Sequence, residues 1–372
     1  MPLQKYNLKN QLLTILRKLH VQFVQLPQRM LSTPSYFIDV ENQFWQYRAL
    51  NIVVKKNVAE ELDSGVQTIE MLAQLTQSNA DQLYRLMRFL ASFGVFLEYP
   101  GRRFAHTERS RRLSSNHPKS IKPQIILQNS RQMIAPLVVR PETSVEEQRS
   151  LFAKHHNTDF FNYLNENRCF NYTFTRSLTT TERSSQRNFS ADVDWSKFKR
   201  IFDIGGAVGV SSVGILEQNK ELIVTVFDRA NVIESAKKYW RQRGMENALL
   251  DRLHFAEGNP LVSKLPQAKS SNDLYFLAAI VPMLNDSQMI NLLRSIVSAS
   301  APFVCTTAIV DIILPTKQND KYLCAADFQT MLTTQGRQRT LLEWKSIAEL
   351  AGLTVDEVVK TRTQSSVIIL RA

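Results

Sequence analysis

One stretch limits what this chain can fold into: Lys199-Arg200-Ile201-Phe202-Asp203-Ile204-Gly205-Gly206-Ala207-Val208-Gly209. The apolar residues before the glycines predict a short strand, and Val210 to Glu217 predicts the start of a helix. Glycines between a strand and a helix let backbone N–H groups approach a ligand closely. The next apolar run, Leu222 to Phe227, ends at Asp228, 19 residues beyond Gly209. That is about the spacing at which an acid closing the second strand meets a ribose diol. Strand, glycine turn, helix, strand and acid together predict a nucleoside-binding βαβ unit.

The residues around the turn bear on which nucleoside. The dinucleotide fingerprint G-x-G-x-x-G needs glycine at 204, where this chain has Ile204. Asp203 precedes the glycines instead, and a carboxylate beside the loop repels a pyrophosphate but suits an ammonium group. This favours S-adenosylmethionine, with its amino-acid portion, over NAD. The competing reading is a glycine turn in an α/β domain that holds no nucleoside.

A chain of 372 residues exceeds one typical domain, and its 44% hydrophobic and 22% charged content is that of a globular protein. No apolar run reaches the roughly 20 residues of a membrane span. Cys169, Cys305 and Cys324 are odd in number and widely spaced, which predicts no metal site, no disulfide framework and a reducing, cytoplasmic setting. The net charge of +12 is scattered along the chain, so it reads as solubility charge rather than a nucleic-acid or membrane surface.

Residues 1–40 form a basic arm with no acid before Asp39. Leu12, Leu13, Ile15, Leu16, Leu19, Phe23 and Leu26 recur at helical spacing up to Pro27. A packing arm, a presequence and a membrane-surface helix all share this pattern; the arm is preferred because no cleavage site is evident. Residues 41–150 read as a winged-helix module and connector. Thr68 and Asn79 are placed to cap helices. Leu83, Leu86, Met87, Leu90 and Ala91 share a face of the second helix, which ends at Gly94. Val95 to Glu98 and Arg103 to Ala105 flank Tyr99-Pro100-Gly101 as a small hairpin. Arg85, Arg88, Arg102 and Arg103 raise the possibility of phosphate contacts. The preferred reading is a dimerisation and substrate-closing domain, because no array of base-reading residues accompanies them. Pro136, Pro141 and Glu142 to Glu147 mark a hinge.

Residues 151–194 carry Phe160, Phe161, Tyr163, Phe170, Tyr172 and Phe174, which suit either a pocket for a flat apolar molecule or a core. From 195 to 372, apolar runs at Arg252 to Ala256, Leu274 to Ala278 and Phe303 to Val310 alternate with helical patterns. That alternation predicts a parallel sheet covered on both faces. Thr354 to Thr361 and Ser366 to Leu370 predict a closing hairpin.

On these residues the chain resembles a class I methyltransferase of the plant-type small-molecule O-methyltransferase family, which includes caffeate and hydroxyindole enzymes. The resemblance covers roughly residues 40–372. It rests on Asp203 to Gly209, Phe227 to Val232, Arg252 to Gly258-Asn259, Asp311 to Pro315, and the stretch from Asp327-Phe328 to Thr340. It implies a Rossmann-like seven-stranded domain preceded by a mostly α-helical winged-helix dimerisation domain, a homodimer, and S-adenosylmethionine as cofactor. The implied cofactor residues are Asp203, Gly205, Gly206, Gly209, Asp228, Arg229, Gly258 and Asn259.

The departures concern catalysis. Pro282 stands where the family has its general-base histidine, and proline accepts no proton. Of the two acids that orient that histidine, one position holds Asp311 and the other Gln338. Ala278 replaces a cofactor-side lysine and Asn259 an adenine-side aspartate. Asp311, His155 and His156 are the substitute catalytic candidates. His254 reads as structural and Cys324 as packing. The leading expectation is methyl transfer to a small aromatic or polyketide-like acceptor. The alternatives are a divergent S-adenosylmethionine-binding protein with lost or non-methyl chemistry, and a winged-helix DNA-binding regulator.

Overall fold

The computed structural model describes residues 33–139, 149–184, 189–243, 247–316, 321–362 and 365–372. Most of the predicted arm, Pro141 with the acidic run after it, and Thr363-Gln364 lie outside the described residues. The chain divides into two compact units between Ser120 and Ile121.

The first unit is helical with a small sheet. Helix Thr33–Lys55 buries Ala49, Val53 and Val54, while Phe37, Ile38, Phe44 and Trp45 stay more than half exposed. Thr68 caps helix Ile69–Leu75 by accepting from the Met71 N–H at 3.2 Å. Asn79 caps helix Ala80–Ser92 through the Asp81 and Gln82 N–H groups. Leu83, Met87 and Leu90 form that helix's buried face, with Leu86 and Ala91 at its edge. Gly94, at φ +68°, ends it in the left-handed conformation that glycine supplies without strain.

Strand β1 (Gln67–Thr68) pairs with β3 (Arg103–His106), and β3 pairs antiparallel with β2 (Phe96–Tyr99). The hairpin expected here is present. Three of its neighbouring arginines are held by their own unit. Arg102 lies 4.4 Å and Arg88 5.3 Å from the Tyr84 ring centre, and Arg103 donates to the Pro100 carbonyl.

The second unit is a seven-stranded sheet in the order β11-β12-β8-β7-β4-β5-β6. The strands are β4 (Arg200–Ile204), β5 (Ile223–Asp228), β6 (Leu253–Glu257), β7 (Asp273–Leu277), β8 (Thr306–Asp311), β11 (Thr354–Lys360) and β12 (Ser366–Arg371). The short strands β9 (Ile313–Leu314) and β10 (Arg339–Thr340) pair separately. β4 to β8 are parallel; the terminal hairpin adds β12 antiparallel to β8.

The period-2 alternation of side chains divides the core. Phe202, Ile204, Tyr275 and Leu277 pack with Leu292, Ile296, Trp344 and Ile347 on one face. Ile201, Val224, Val226, Leu274 and Phe276 pack with Val213, Leu216, Ile233 and Trp240 on the other. Burial on both faces explains why these strands read as continuous apolar runs.

The strand expected from Phe303 begins only at Thr306, because Phe303 closes a turn onto the Ser300 carbonyl and Val304 is exposed. His254 lies on edge strand β6 and is exposed. Among the described residues, no helix is long and apolar enough to cross a membrane.

Candidate active site

The sheet order reverses beside β4: β5 follows on one side and β7 lies on the other. A ligand crevice forms outside the carboxyl ends of strands at such a point. There β4 delivers the chain into Gly205 at φ +69°, where an added Cβ would stand 2.8 Å from the Ile280 Cβ. A Cβ on Gly206 would strike the Asp203 carboxylate. Gly209, at φ +79°, leads into helix Val210–Leu216.

Between these glycines Ala207 also takes a positive φ, +53°. That conformation costs an L-residue about 1–2 kcal/mol. It is held from β5: the Ala207 N–H donates to Asp228 Oδ2 at 3.0 Å. The Arg229 N–H donates to Asp228 Oδ1 at 2.7 Å, so backbone donors fix both oxygens.

The two acids of the turn are nearly dry. Asp203 is 1% exposed; its Oδ2 accepts from the Ser212 hydroxyl at 2.5 Å, and its buried Oδ1 has no hydrogen-bond partner among the described residues. Burial pushes the Asp203 carboxyl up to about 7, with Ser212 opposing and the charge of Asp228 adding to the rise. Burial also raises Asp228, against the Arg229 N–H, its guanidinium and the Ala207 N–H.

A cavity of about 230 Å³ opens over the strand ends. Gly205, Ala207, Asp228, Arg229, Asn259, Leu261, Ile280 and Met283 wall it on the sheet side. Helix Phe160–Glu166 contributes Phe161 and Asn162, and helix Arg168–Ser184 contributes Asn171, Phe174, Thr175 and Leu178. Those last four follow the helical repeat and so share a face. Asn171 is 4% exposed and its Oδ1 has no partner among the described residues.

A model of the O-methyltransferase domain matches residues 141–354, and one of the O-methyltransferase dimerisation domain matches residues 38–116. The chain belongs to the O-methyltransferase family. Phenazine O-methyltransferase PhzM of Lysobacter antibioticus is 25% identical over 337 residues, spanning 91% of this methyltransferase and 96% of its own length. The crystal structure of LaPhzM superimposes with a TM-score of 0.84 at 24% identity, over 92% of this chain and 99% of its own. Human N-acetylserotonin methyltransferase, solved in complex with SAM, gives 0.80 at 19% identity over 92% and 98%. These structures share the fold of helical amino-terminal unit and seven-stranded carboxy-terminal unit.

Within this methyltransferase the predicted site residues separate into three groups. Gly205, Asp228, Arg229 and Asn259 wall the cavity. Asp203, Gly206, Gly209 and Gly258 are not among its wall residues: Asp203 is buried against the Ser212 hydroxyl, and the three glycines stand where a Cβ would crowd its neighbours. A Cβ on Gly258, for example, would run into the Phe227 ring. The catalytic candidates are not brought into the cavity.

His155 is exposed. His156 is at 3.0 Å from the Gln132 carbonyl, packs against Phe152 and Tyr163, and has its pKa lowered by burial. Both sit at the end of helix Leu151–His156, whose Phe152 belongs to an aromatic core. Asp311, 4% exposed, closes β8. Gln338, turned with its amide nitrogen toward β8, donates to Ile312 O at 3.2 Å and Asp311 Oδ1 at 3.3 Å.

Pro282 sits in the short turn Val281–Met283, its carbonyl and the Met283 backbone filling the space a Cβ on Gly336 would need. Met283, not Pro282, reaches the cavity wall. In the aromatic segment Phe152, Phe160 and Phe170 pack with Leu127 and Met133, and Phe161 and Phe174 pack against that cluster while also lining the cavity. Sequence reasoning missed Asn171, Thr175 and Leu178. Their spacing of four and three residues amid aromatics was the available signal.

Proposed function

We propose that this chain binds S-adenosylmethionine in the cavity over β4–β7 and transfers its methyl group to an oxygen of a small aromatic molecule. The carrying observation is Asp228, held by the Ala207 and Arg229 N–H groups at the end of β5 and facing the cavity beside Gly205. The wall suits the cofactor's chemistry. A fixed carboxylate accepts from a ribose diol, a side-chain-free residue at 205 admits the ligand chain, and the Asn171 oxygen awaits a donor. Asp203, Gly206, Gly209 and Gly258 keep that shape; Arg229 and Asn259 complete the cofactor wall. When bound, the cofactor supplies a methyl group activated on a sulfonium.

The chain's part is placement and exclusion of water. Phe161 and Phe174 offer flat apolar surface, and in-line transfer depends chiefly on alignment. A general base would add about 10²- to 10⁴-fold for a neutral hydroxyl. Pro282 cannot act so, and His155, His156 and Asp311 lie off the cavity wall. An acceptor already ionised at neutral pH needs no such base, and this chemistry fits the site best.

The second reading, a protein that binds the cofactor without transferring methyl, is favoured by Pro282 alone. Calorimetry with S-adenosylmethionine tests the site: wild type binds, and Asp228→Ala weakens binding at least tenfold. Absence of binding at millimolar ligand overturns both readings. Methyl incorporation into acidic phenols then separates the first from the second.

The exposed apolar face of helix Thr33–Lys55 supports a homodimer, and three free cysteines suit the cytoplasm. The functional segmentation proposed is an arm at 1–40, a dimerisation domain and connector at 41–150, a pocket linker at 151–194 and the cofactor domain at 195–372.

A further inference from the structure

Arg229 does more than stand beside the acid that precedes it. Its Nη1 donates to the Phe161 carbonyl at 2.9 Å and to Asn165 Oδ1 at 2.9 Å, both on helix Phe160–Glu166 and more than sixty residues away in sequence. Its guanidinium carbon lies 5.5 Å from the Phe161 ring centre, and its side chain is 12% exposed. At its other end, its backbone N–H sets Asp228 Oδ1, and Nε lies 3.9 Å from the same oxygen. One residue therefore holds a carboxylate on the sheet side of the cavity and the aromatic wall opposite.

That wall needs an external hold. The helix has seven residues, and a helix so short is not stable by propensity alone. Asp159 caps its first turn through the Phe161 and Asn162 N–H groups. Arg229 grips a carbonyl and a side chain farther along. Hydrogen bonds with a charged donor are about twice as strong as neutral ones, and the low exposure of the guanidinium limits competition from water.

We propose that Arg229 is a positioning residue that clamps helix Phe160–Glu166 onto the cofactor strand, so that binding at Asp228 and placement of the Phe161 wall are set together. The proposal rests on the cofactor site argued above. It makes the exposed Asn165, which is not part of the cavity wall, a determinant of cofactor affinity through Arg229.

The test uses the full chain and S-adenosylhomocysteine as probe, with calorimetry and hydrogen exchange. Asn165→Ala is expected to weaken binding three- to tenfold and Arg229→Met ten- to a hundredfold. The double variant is expected to match Arg229→Met alone, because both remove the same tie. Arg229→Lys, which keeps the charge but not the fork, recovers part of the loss. In the wild type the probe slows exchange across residues 160–166; in Asn165→Ala that protection falls. Unchanged affinity in Asn165→Ala, or effects that multiply in the double variant, overturns the clamp and leaves Arg229 as a direct ligand only. Asn165→Ala alters an exposed side chain and keeps the test valid if Arg229→Met fails to fold. If the wild type itself does not bind the probe, the cofactor site fails, and not merely the clamp.

Discussion

Replacing Asp203 by asparagine should abolish a loss of stability with rising pH. The unfolded carboxyl ionises near 3.8, whereas burial holds the folded one at about 7. A folded pKa raised above the unfolded one means that the folded state alone keeps the proton between these values. Stability from this group is complete below the unfolded pKa and is lost as pH rises through the folded pKa. From pH ~5.5 to the folded pKa is about 1.5 units, and each unit is worth about 1.4 kcal/mol, so the wild type loses about 2 kcal/mol through this one residue by pH ~8.

Asparagine keeps an oxygen for the Ser212 hydroxyl and carries no charge, so this component vanishes. Urea denaturation of both proteins at the two pH values gives the comparison. The stability of Asp203→Asn relative to wild type should improve by about 2 kcal/mol from the lower to the higher pH. A relative stability that stays level or falls would refute the buried, protonated carboxyl.

Three further outcomes follow from particular contacts. Ala207→Gly relieves a positive φ of +53°; thermal denaturation should show stabilisation of about 1 kcal/mol, and a loss would mean that the turn is unstrained. Arg339 is fully buried, donates to Leu284 O at 2.7 Å and Asp286 Oδ1 at 2.9 Å, and lies over Trp344. Arg339→Met should destabilise by about 2–3 kcal/mol through the unpaired carbonyl, measured by chemical denaturation; a change under about 0.5 kcal/mol would rule this out. Phe37 and Trp45 are 63% and 53% exposed on helix Thr33–Lys55. Exchanging both for glutamate should halve the mass in light scattering while circular dichroism is retained, and an unchanged mass would remove this helix from the interface.

What the sequence by itself determined is local or periodic. The strand–glycine–helix turn, the acid closing the second strand, the capping residues at Thr68 and Asn79 and the terminal hairpin each depend on neighbours within a few residues, and all are present. The sheet's two-faced burial follows from apolar runs that are continuous rather than alternating. The family resemblance extended this to the whole architecture, because its motifs fall at strand ends.

What tertiary structure decided is where side chains meet across sequence distance. Nothing near Ala207 states that a carboxylate 21 residues on will hold it at positive φ. Nothing near Arg229 points to Asn165, 64 residues before it. His155 and His156 were attractive as titratable groups in an aromatic stretch, yet the helix carrying them turns its neighbours into a core and leaves both outside the cavity wall. Phe160 is 3% exposed in the core cluster, whereas Phe161, one position on, packs against that cluster and also reaches the cavity wall, since adjacent helical residues point about 100° apart. Composition and spacing register which residues are available. Which face of a helix meets the sheet is set by the packing of every other element, and that information is distributed over the chain.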